Sequence, residues 1–194
     1  MGADTIWTLG HSTRTIDEFI ALLRHYRIEA IADVRRFPGS RRLPQFGQEA
    51  LAASLEDAGI EYRLIRELGG RRRPSADSPN TAWRNTSFRG YADHTASREF
   101  ASGLERLREL ATRKRTSMMC AEVLWWRCHR SLISDVLMVS GTRVLHIQDE
   151  KHIEEHPYTR PARLHHGQLT YDATRGEPLN AKERSQGIQQ QMDL

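Results

Sequence analysis

The sequence predicts an α/β protein: one domain built on a mainly parallel sheet of about five strands, with helices on both faces. Three observations predict it. Short apolar runs alternate with segments of helical periodicity, which is the pattern of βαβ units. Several transitions carry a capping residue or a glycine, as at Gly10, Thr15, Gly59 and Gly141. The chain has 194 residues, enough for one core of ordinary size and too few for two good ones.

The elements follow in order. Thr5–Leu9 (TIWTL) reads as a buried strand closed by Gly10. Residues 15–26 place Ile16, Phe19, Ile20 and Leu23 at helical spacing, with Thr15 as cap and Asp17 and Glu18 in the first turn. Ala30–Val34 is a second buried strand. Residues 47–58 form a helix with Leu51 and Leu55 on one face, stopped by Gly59. Ile60–Ile65 alternates and reads as the third strand. A long irregular insertion is expected from about Gly69 to Ala96. Ser97–Arg113 is a helix with Phe100, Leu104, Leu107 and Ala111 on one face. Ser117–Ala121 is the fourth strand, Ser131–Ser140 a helix ended by Gly141, and Arg143–Ile147 the fifth strand. The single α/β domain is expected to span 1–172. Residues 173–194 are expected to be a peripheral tail, with the last 15 disordered.

Composition excludes several classes. Apolar residues are 38% and charged residues 28%, and no run reaches the roughly 18–20 apolar residues of a membrane helix. The N-terminus lacks the basic and apolar segments of a signal peptide, and two cysteines do not make a disulfide framework. A cytoplasmic protein with no membrane partner is the expectation. Net charge is +4, and only Lys114, Lys151 and Lys182 among the 29 basic residues are lysine. An arginine excess of this kind follows from a GC-rich genome. It also suits bidentate recognition of phosphate and carboxylate.

Ligands of open parallel sheets bind beyond the carboxyl ends of the strands. There this chain carries His11 and Ser12, then Asp33 and Arg35, then Gly69-Gly70 with Arg71-Arg72-Arg73. The fourth strand leads to Cys120-Ala121-Glu122 and to Cys128-His129-Arg130-Ser131, which opens a helix. A helix N-terminus and an arginine fork suit an anion, and a cysteine there is more nucleophilic. The expected anion ligands are Ser12, Arg35, His129 and Arg130, with Tyr91 close by. The candidates for chemistry are His11, Glu122 and Asp33 as proton carriers and Cys120 or Cys128 as nucleophile. Cys120, Cys128, His129 and His11 also have the residue types of a zinc site, with Glu122 as a further ligand or a base. Each has a plainer reading as a cap, an ion pair or a packed side chain. Arg71–Arg73, Trp83-Arg84 and Phe88-Arg89-Gly90-Tyr91 mix arginine with aromatics, a combination suited to nucleic acid. No nucleotide-cofactor fingerprint is present.

The chain resembles a known family, domain of unknown function 488. The resemblance rests on Thr8-Leu9-Gly10-His11-Ser12, Asp33-Val34-Arg35, Pro38, Leu68-Gly69-Gly70, Phe88, Tyr91-Ala92, Met119-Cys120-Ala121-Glu122, Cys128-His129-Arg130 and Val144-Leu145-His146-Ile147. It covers about residues 5–172 and implies a grouping without an activity. The family's loop between the two cysteine positions is acidic and carries a proline. Here it is Val123-Leu124-Trp125-Trp126-Arg127, which suggests an apolar lid or partner surface.

Three functions follow as expectations. The first is a hydrolase or transferase with an anion-binding site for a phosphorylated small molecule, nucleotide or nucleic acid. The second is a non-catalytic nucleic-acid-binding module. The third is a zinc-stabilised interaction protein.

Overall fold

The structure is a computed structural model that describes residues 5–39 and 41–179. Its main sheet has the order β3-β2-β4-β1-β5-β6. The strands are β1 (Thr5–Gly10), β2 (Ala30–Asp33), β3 (Glu61–Leu64), β4 (Thr116–Cys120), β5 (Arg143–Ile147) and β6 (Ile153–Glu155). The first five are parallel, and β6 adds an antiparallel edge. The predicted α/β class and its five parallel strands are therefore observed, within a sheet of six.

The helices are α1 (Ile16–His25), α2 (Gln48–Asp57), α3 (Thr86–Thr95), α4 (Arg98–Arg113) and α5 (Arg130–Val139). Thr15 closes a reciprocal capping box with Glu18 at the start of α1, and Ser97 caps α4 through the Phe100 amide. The strand pleat sorts the core into two layers. Trp7, Leu9, Ile31 and Met119 meet Phe19, Leu23, Leu51 and Leu55 from α1 and α2. Ile6, Ala30, Ala32 and Met118 meet Phe100, Leu104, Leu107 and Leu132 from α4 and α5. Helices thus cover both faces.

One expectation needs correction. The stretch from Gly69 to Ala96 is not irregular throughout, because it contains α3. That helix is polar along much of its length and carries Gly90, so its periodicity is faint. Asn85 caps it by accepting from the Ser87 and Phe88 amides, and Gly90 lets it approach Arg72 and Arg73, where a Cβ would lie 2.5 Å from the Arg72 carbonyl oxygen. The segment after Gln148 also has structure. Besides β6 it forms β7 (Arg163–His165), β8 (Gln168–Thr170) and β9 (Glu177–Pro178), a small antiparallel sheet. These strands have two or three residues each, too few for alternation to register. Ala162, Tyr171 and Leu179 carry this layer into the core beside α5. The expected disorder of the last 15 residues falls outside the described residues.

The topology places the functional crevice. The chain leaves β1 for α1 on one face and leaves β4 for α5 on the other. β1 and β4 are neighbours, so their connections diverge, which is the switch-point geometry of ligand sites in open α/β sheets.

Candidate active site at the β1–β4 switch point

Gly10 and Cys120 face each other at the ends of β1 and β4. The ladder continues past them: the His11 amide donates to the Cys120 carbonyl at 2.9 Å and the Ser12 amide to the Ala121 carbonyl at 3.0 Å. A cavity of about 450 Å³ opens above this pair. His11, Ser12, Arg35, Cys120 and His129 line its inner part, and Arg36, Phe37 and Arg71 stand at its mouth. A larger groove of about 830 Å³ lies at the amino ends of the strands, and none of the candidate residues reaches it.

Asp33 is fully buried and holds Arg35 in a two-pronged ion pair. Arg35 Nε donates to Oδ1 at 2.9 Å and an outer nitrogen donates to Oδ2 at 2.6 Å. Tyr62 donates a third bond to Oδ2 at 2.8 Å. The remaining Arg35 nitrogen donates to the Phe46 carbonyl at 2.9 Å and approaches His11 Nε2 at 3.3 Å. His11 Nδ1 lies 2.9 Å from the Ser12 carbonyl oxygen, an acceptor, so the proton sits on Nδ1 and Nε2 accepts from Arg35. Burial and the charge of Arg35 push His11 down to about 4, despite the bond to Ser12. The ring stacks on Phe46 with centroids 4.1 Å apart. His11 is thus a neutral, fixed imidazole in the cavity wall. Asp33 orients Arg35 from behind and does not line the cavity.

The second wall is sulfur-rich. One donor atom each from Cys120, Cys128 and His129 lie within 4.8 Å of one another. Cys128 Sγ is 3.6 Å from His129 Nδ1, and Arg130 Nε donates to the same sulfur at 3.4 Å. Burial by itself raises the Cys128 thiol. The hydrogen bond from Cys120, with Arg130 and His129, outweighs it and pulls Cys128 well below the usual range. The shared hydrogen bond with Cys128, and burial, push Cys120 well above it. His129 Nε2 lies 2.9 Å from the Val34 carbonyl oxygen, so Nε2 carries a proton and Nδ1 faces the sulfur. Tyr91 packs 5.0 Å from the His129 ring and donates to the Leu68 carbonyl at 2.6 Å.

Arg130 is buried and reaches further than the sequence suggests. Its other nitrogens donate to Thr8 Oγ1 at 3.0 Å and to the carbonyls of Glu122 and Val123. Thr8 Oγ1 lies 2.8 Å from His146 Nδ1, His146 Nε2 lies 2.8 Å from His156 Nδ1, and His156 Nε2 lies 3.0 Å from Asp135 Oδ1. Asp135 also accepts from the Thr159 hydroxyl at 2.6 Å and the Tyr171 hydroxyl at 3.0 Å. Trp125 stacks on His146 with centroids 4.5 Å apart.

The structure therefore brings together His11, Ser12, Arg35, Cys120 and His129 around one cavity, with Asp33, Cys128, Arg130 and Tyr91 behind it. Glu122 is apart: its side chain is exposed and accepts from the Leu124 amide at 3.2 Å. Arg72 is taken up by Glu99, and Trp83 and Phe88 stack on each other at 4.7 Å beside Tyr171. Of the expected apolar lid, Trp125 is buried and Trp126 is 47% exposed. Sequence reasoning missed the support formed by Thr8, Asp135, His146 and His156. One signal was available, an aspartate in the middle of the apolar helix SLISDVLMV. It also missed Arg36, Phe37 and Arg71 as the mouth of the cavity.

Among the described residues no helix is long and apolar enough to cross a membrane. No curated protein and no solved structure matches the chain significantly. A family profile matches residues 15–137, well over half of the chain, and spans both cysteines, Asp33, Arg35, Tyr91, His129 and Arg130. On that match this chain belongs to the family described as Domain of unknown function DUF488.

Proposed function

We propose that the cavity binds a small anionic substrate, a phosphorylated small molecule or nucleotide, and that the protein is a hydrolase or transferase acting on it there. One observation carries this reading. Arg36 and Arg71 converge on the mouth of a cavity whose inner wall holds His11, Cys120 and His129. Both arginines are exposed and lie over the ring of Phe37, at 5.6 and 6.0 Å from its centroid. Among the described residues neither forms an ion pair with a carboxylate. Their field at the mouth favours an anion, and Arg35 adds to it from the wall. His11, neutral and fixed, shapes the wall and buttresses Arg35 through Nε2. Arg130 contributes through Cys128, since its donors are committed to protein groups.

The test is a thermal-shift titration with phosphate, sulfate and nucleotides on wild type, Arg36→Ala and Arg71→Ala. A ligand at about 100 times its Kd stabilises by about 2.7 kcal/mol, a rise of about 5–10 °C for a chain of this size. Each substitution is expected to weaken binding about 5-fold to 10-fold, the cost of one charge-assisted contact in partial solvent. No shift with any of these anions sinks the reading.

A further inference from the structure

We infer that Cys120, Cys128 and His129 form a three-ligand zinc site whose fourth position opens into the cavity. Zinc–sulfur bonds of about 2.3 Å and zinc–nitrogen bonds of about 2.05 Å at a tetrahedral angle separate the two donors by about 3.6 Å. Cys128 Sγ and His129 Nδ1 stand 3.6 Å apart. Cys120 supplies a third donor atom within 4.8 Å of both. Two thiolate sulfurs and one imidazole nitrogen at this spacing suit zinc among the common divalent ions.

The surroundings fit the same reading. A metal-bound imidazole ordinarily donates its other N–H to a carbonyl or carboxylate. His129 does this through Nε2, to Val34 at 2.9 Å, which leaves the Nδ1 lone pair directed at the sulfurs. Two thiolates neutralise one zinc ion, so the nearby Arg130 guanidinium is not repelled. Its Nε–H bond to Cys128 takes up charge left on that sulfur. Gly70 keeps the space beside Nδ1 clear, since a Cβ there would lie 2.8 Å from that atom. Cys120 and His129 line the cavity and Cys128 does not, so the uncovered side of the triangle faces the cavity. Three protein ligands and one open position are the arrangement of catalytic rather than structural zinc.

His11, read from sequence as a fourth ligand, is not one: Arg35 and Ser12 occupy its two nitrogens. Glu122 is turned to the Leu124 amide. The fourth ligand is then solvent, and zinc would give that water an acidity suited to hydrolysis. That catalytic role rests on the proposed function, whereas the metal site rests on the geometry alone.

The test uses the full chain purified without added metal. The expected result is about one zinc per chain by elemental analysis. Replacement by cobalt(II) should give a thiolate-to-cobalt charge-transfer band in the near ultraviolet and intense tetrahedral d–d bands. Azide should shift the d–d bands by entering the open position. Cys120→Ser changes a half-buried residue, and circular dichroism confirms its fold. It should lose most of the zinc and the charge-transfer intensity. A folded wild-type chain without metal and without cobalt–thiolate bands overturns the inference, as does a Cys120–Cys128 disulfide in the freshly purified chain. Bands that ignore azide overturn the open position. Bands that answer to azide but not to phosphate uphold the metal site and count against the anion reading. Phosphate stabilisation without metal does the reverse.

Discussion

Arg130 ties Thr8 to Cys128. One end of its guanidinium donates to Thr8 Oγ1 at 3.0 Å, and Nε donates to Cys128 Sγ at 3.4 Å. The direction of every bond beyond Thr8 follows. Arginine only donates and a carboxylate only accepts, so the chain runs Arg130 to Thr8, His146, His156 and Asp135. Each histidine is fixed as the Nε2–H tautomer, and a sulfur on one side of the sheet end is oriented by an aspartate inside α5. This rigidity matters for any chemistry at Cys128, because a positioned group acts only as well as its support holds it.

The first prediction concerns that link. Arg130→Ala removes four donors from a buried site and leaves Thr8 and the Glu122 and Val123 carbonyls short of partners. Hydrogen bonds from a charged group contribute about 1.5–3 kcal/mol each in context, and unsatisfied acceptors cost about as much. A net loss of about 3–5 kcal/mol in urea unfolding is expected. Arg130→Lys keeps the charge but not the fork, and should recover less than half of the loss. A lysine variant as stable as wild type would show that charge alone is what matters here.

Asp33 and Arg35 make a second prediction. The pair is buried, so removing one charge strands the other. Asp33→Asn is expected to cost about 3–5 kcal/mol. Tyr62→Phe removes one neutral donor to the same carboxylate and should cost about 1 kcal/mol. The two effects share a partner, so a double-mutant cycle should give a coupling above about 0.5 kcal/mol. Strict additivity would mean that Tyr62 does not bond to Asp33 in solution.

The third prediction is a pH dependence. Burial, with His156 and Arg130 close by, holds His146 down to about 2 from its ordinary 6.5. Thr8, His156, Trp125 and Arg130 are the groups that face it. As pH falls below 6.5 the unfolded chain takes up a proton at His146 and the native chain does not. Protonation therefore favours unfolding, by about 1.4 kcal/mol per pH unit from this residue. Above 6.5 both states are neutral and the contribution to the slope disappears. Between pH 7 and pH 5 His146→Gln should lose about 2 kcal/mol less stability than wild type. Equal losses in urea melts at the two pH values would place the acid sensitivity elsewhere.

The fold was legible because local signals agreed with one another. Thr15 with Glu18, the apolar stripe of α4 and the buried runs of β1 and β2 each point to one element. What the sequence hid was short or polar. Strands β7 to β9 owe their pairing to what they pack against. α3 owes its place to Gly90 and to the cap at Asn85. The site was legible as a list of residue types at strand ends, since a parallel sheet gathers those ends. The roles within it were not. That Arg130 turns inward to Cys128 while Arg36 and Arg71 face the cavity depends on χ angles and loop paths. Neither leaves a trace in spacing.

Two glycines separate fold from site and give the last prediction. Gly10 lies in β1 beside Cys120, and a Cβ on it would stand 2.0 Å from the Glu122 carbonyl oxygen. That oxygen is backbone, held by Arg130, and cannot move alone. Gly10→Ala must therefore push the loop after β4 away from β1, at a cost of about 3 kcal/mol or more. Gly70 is different. Its nearest neighbour is the ring of His129, and a methyl group there displaces a side chain. Gly70→Ala should cost only about 1–2 kcal/mol, yet it pushes Nδ1 out of line with Cys128 and strains the Nε2–H bond to Val34. The expected pattern is a poorly folded Gly10→Ala chain and a folded Gly70→Ala chain with reduced zinc content and altered thiol reactivity. Thermal melts, metal analysis and thiol titration of the two variants read it out. A Gly70→Ala protein with wild-type metal content and thiol reactivity would show that His129 can yield without consequence, and that its alignment with the two sulfurs has no function.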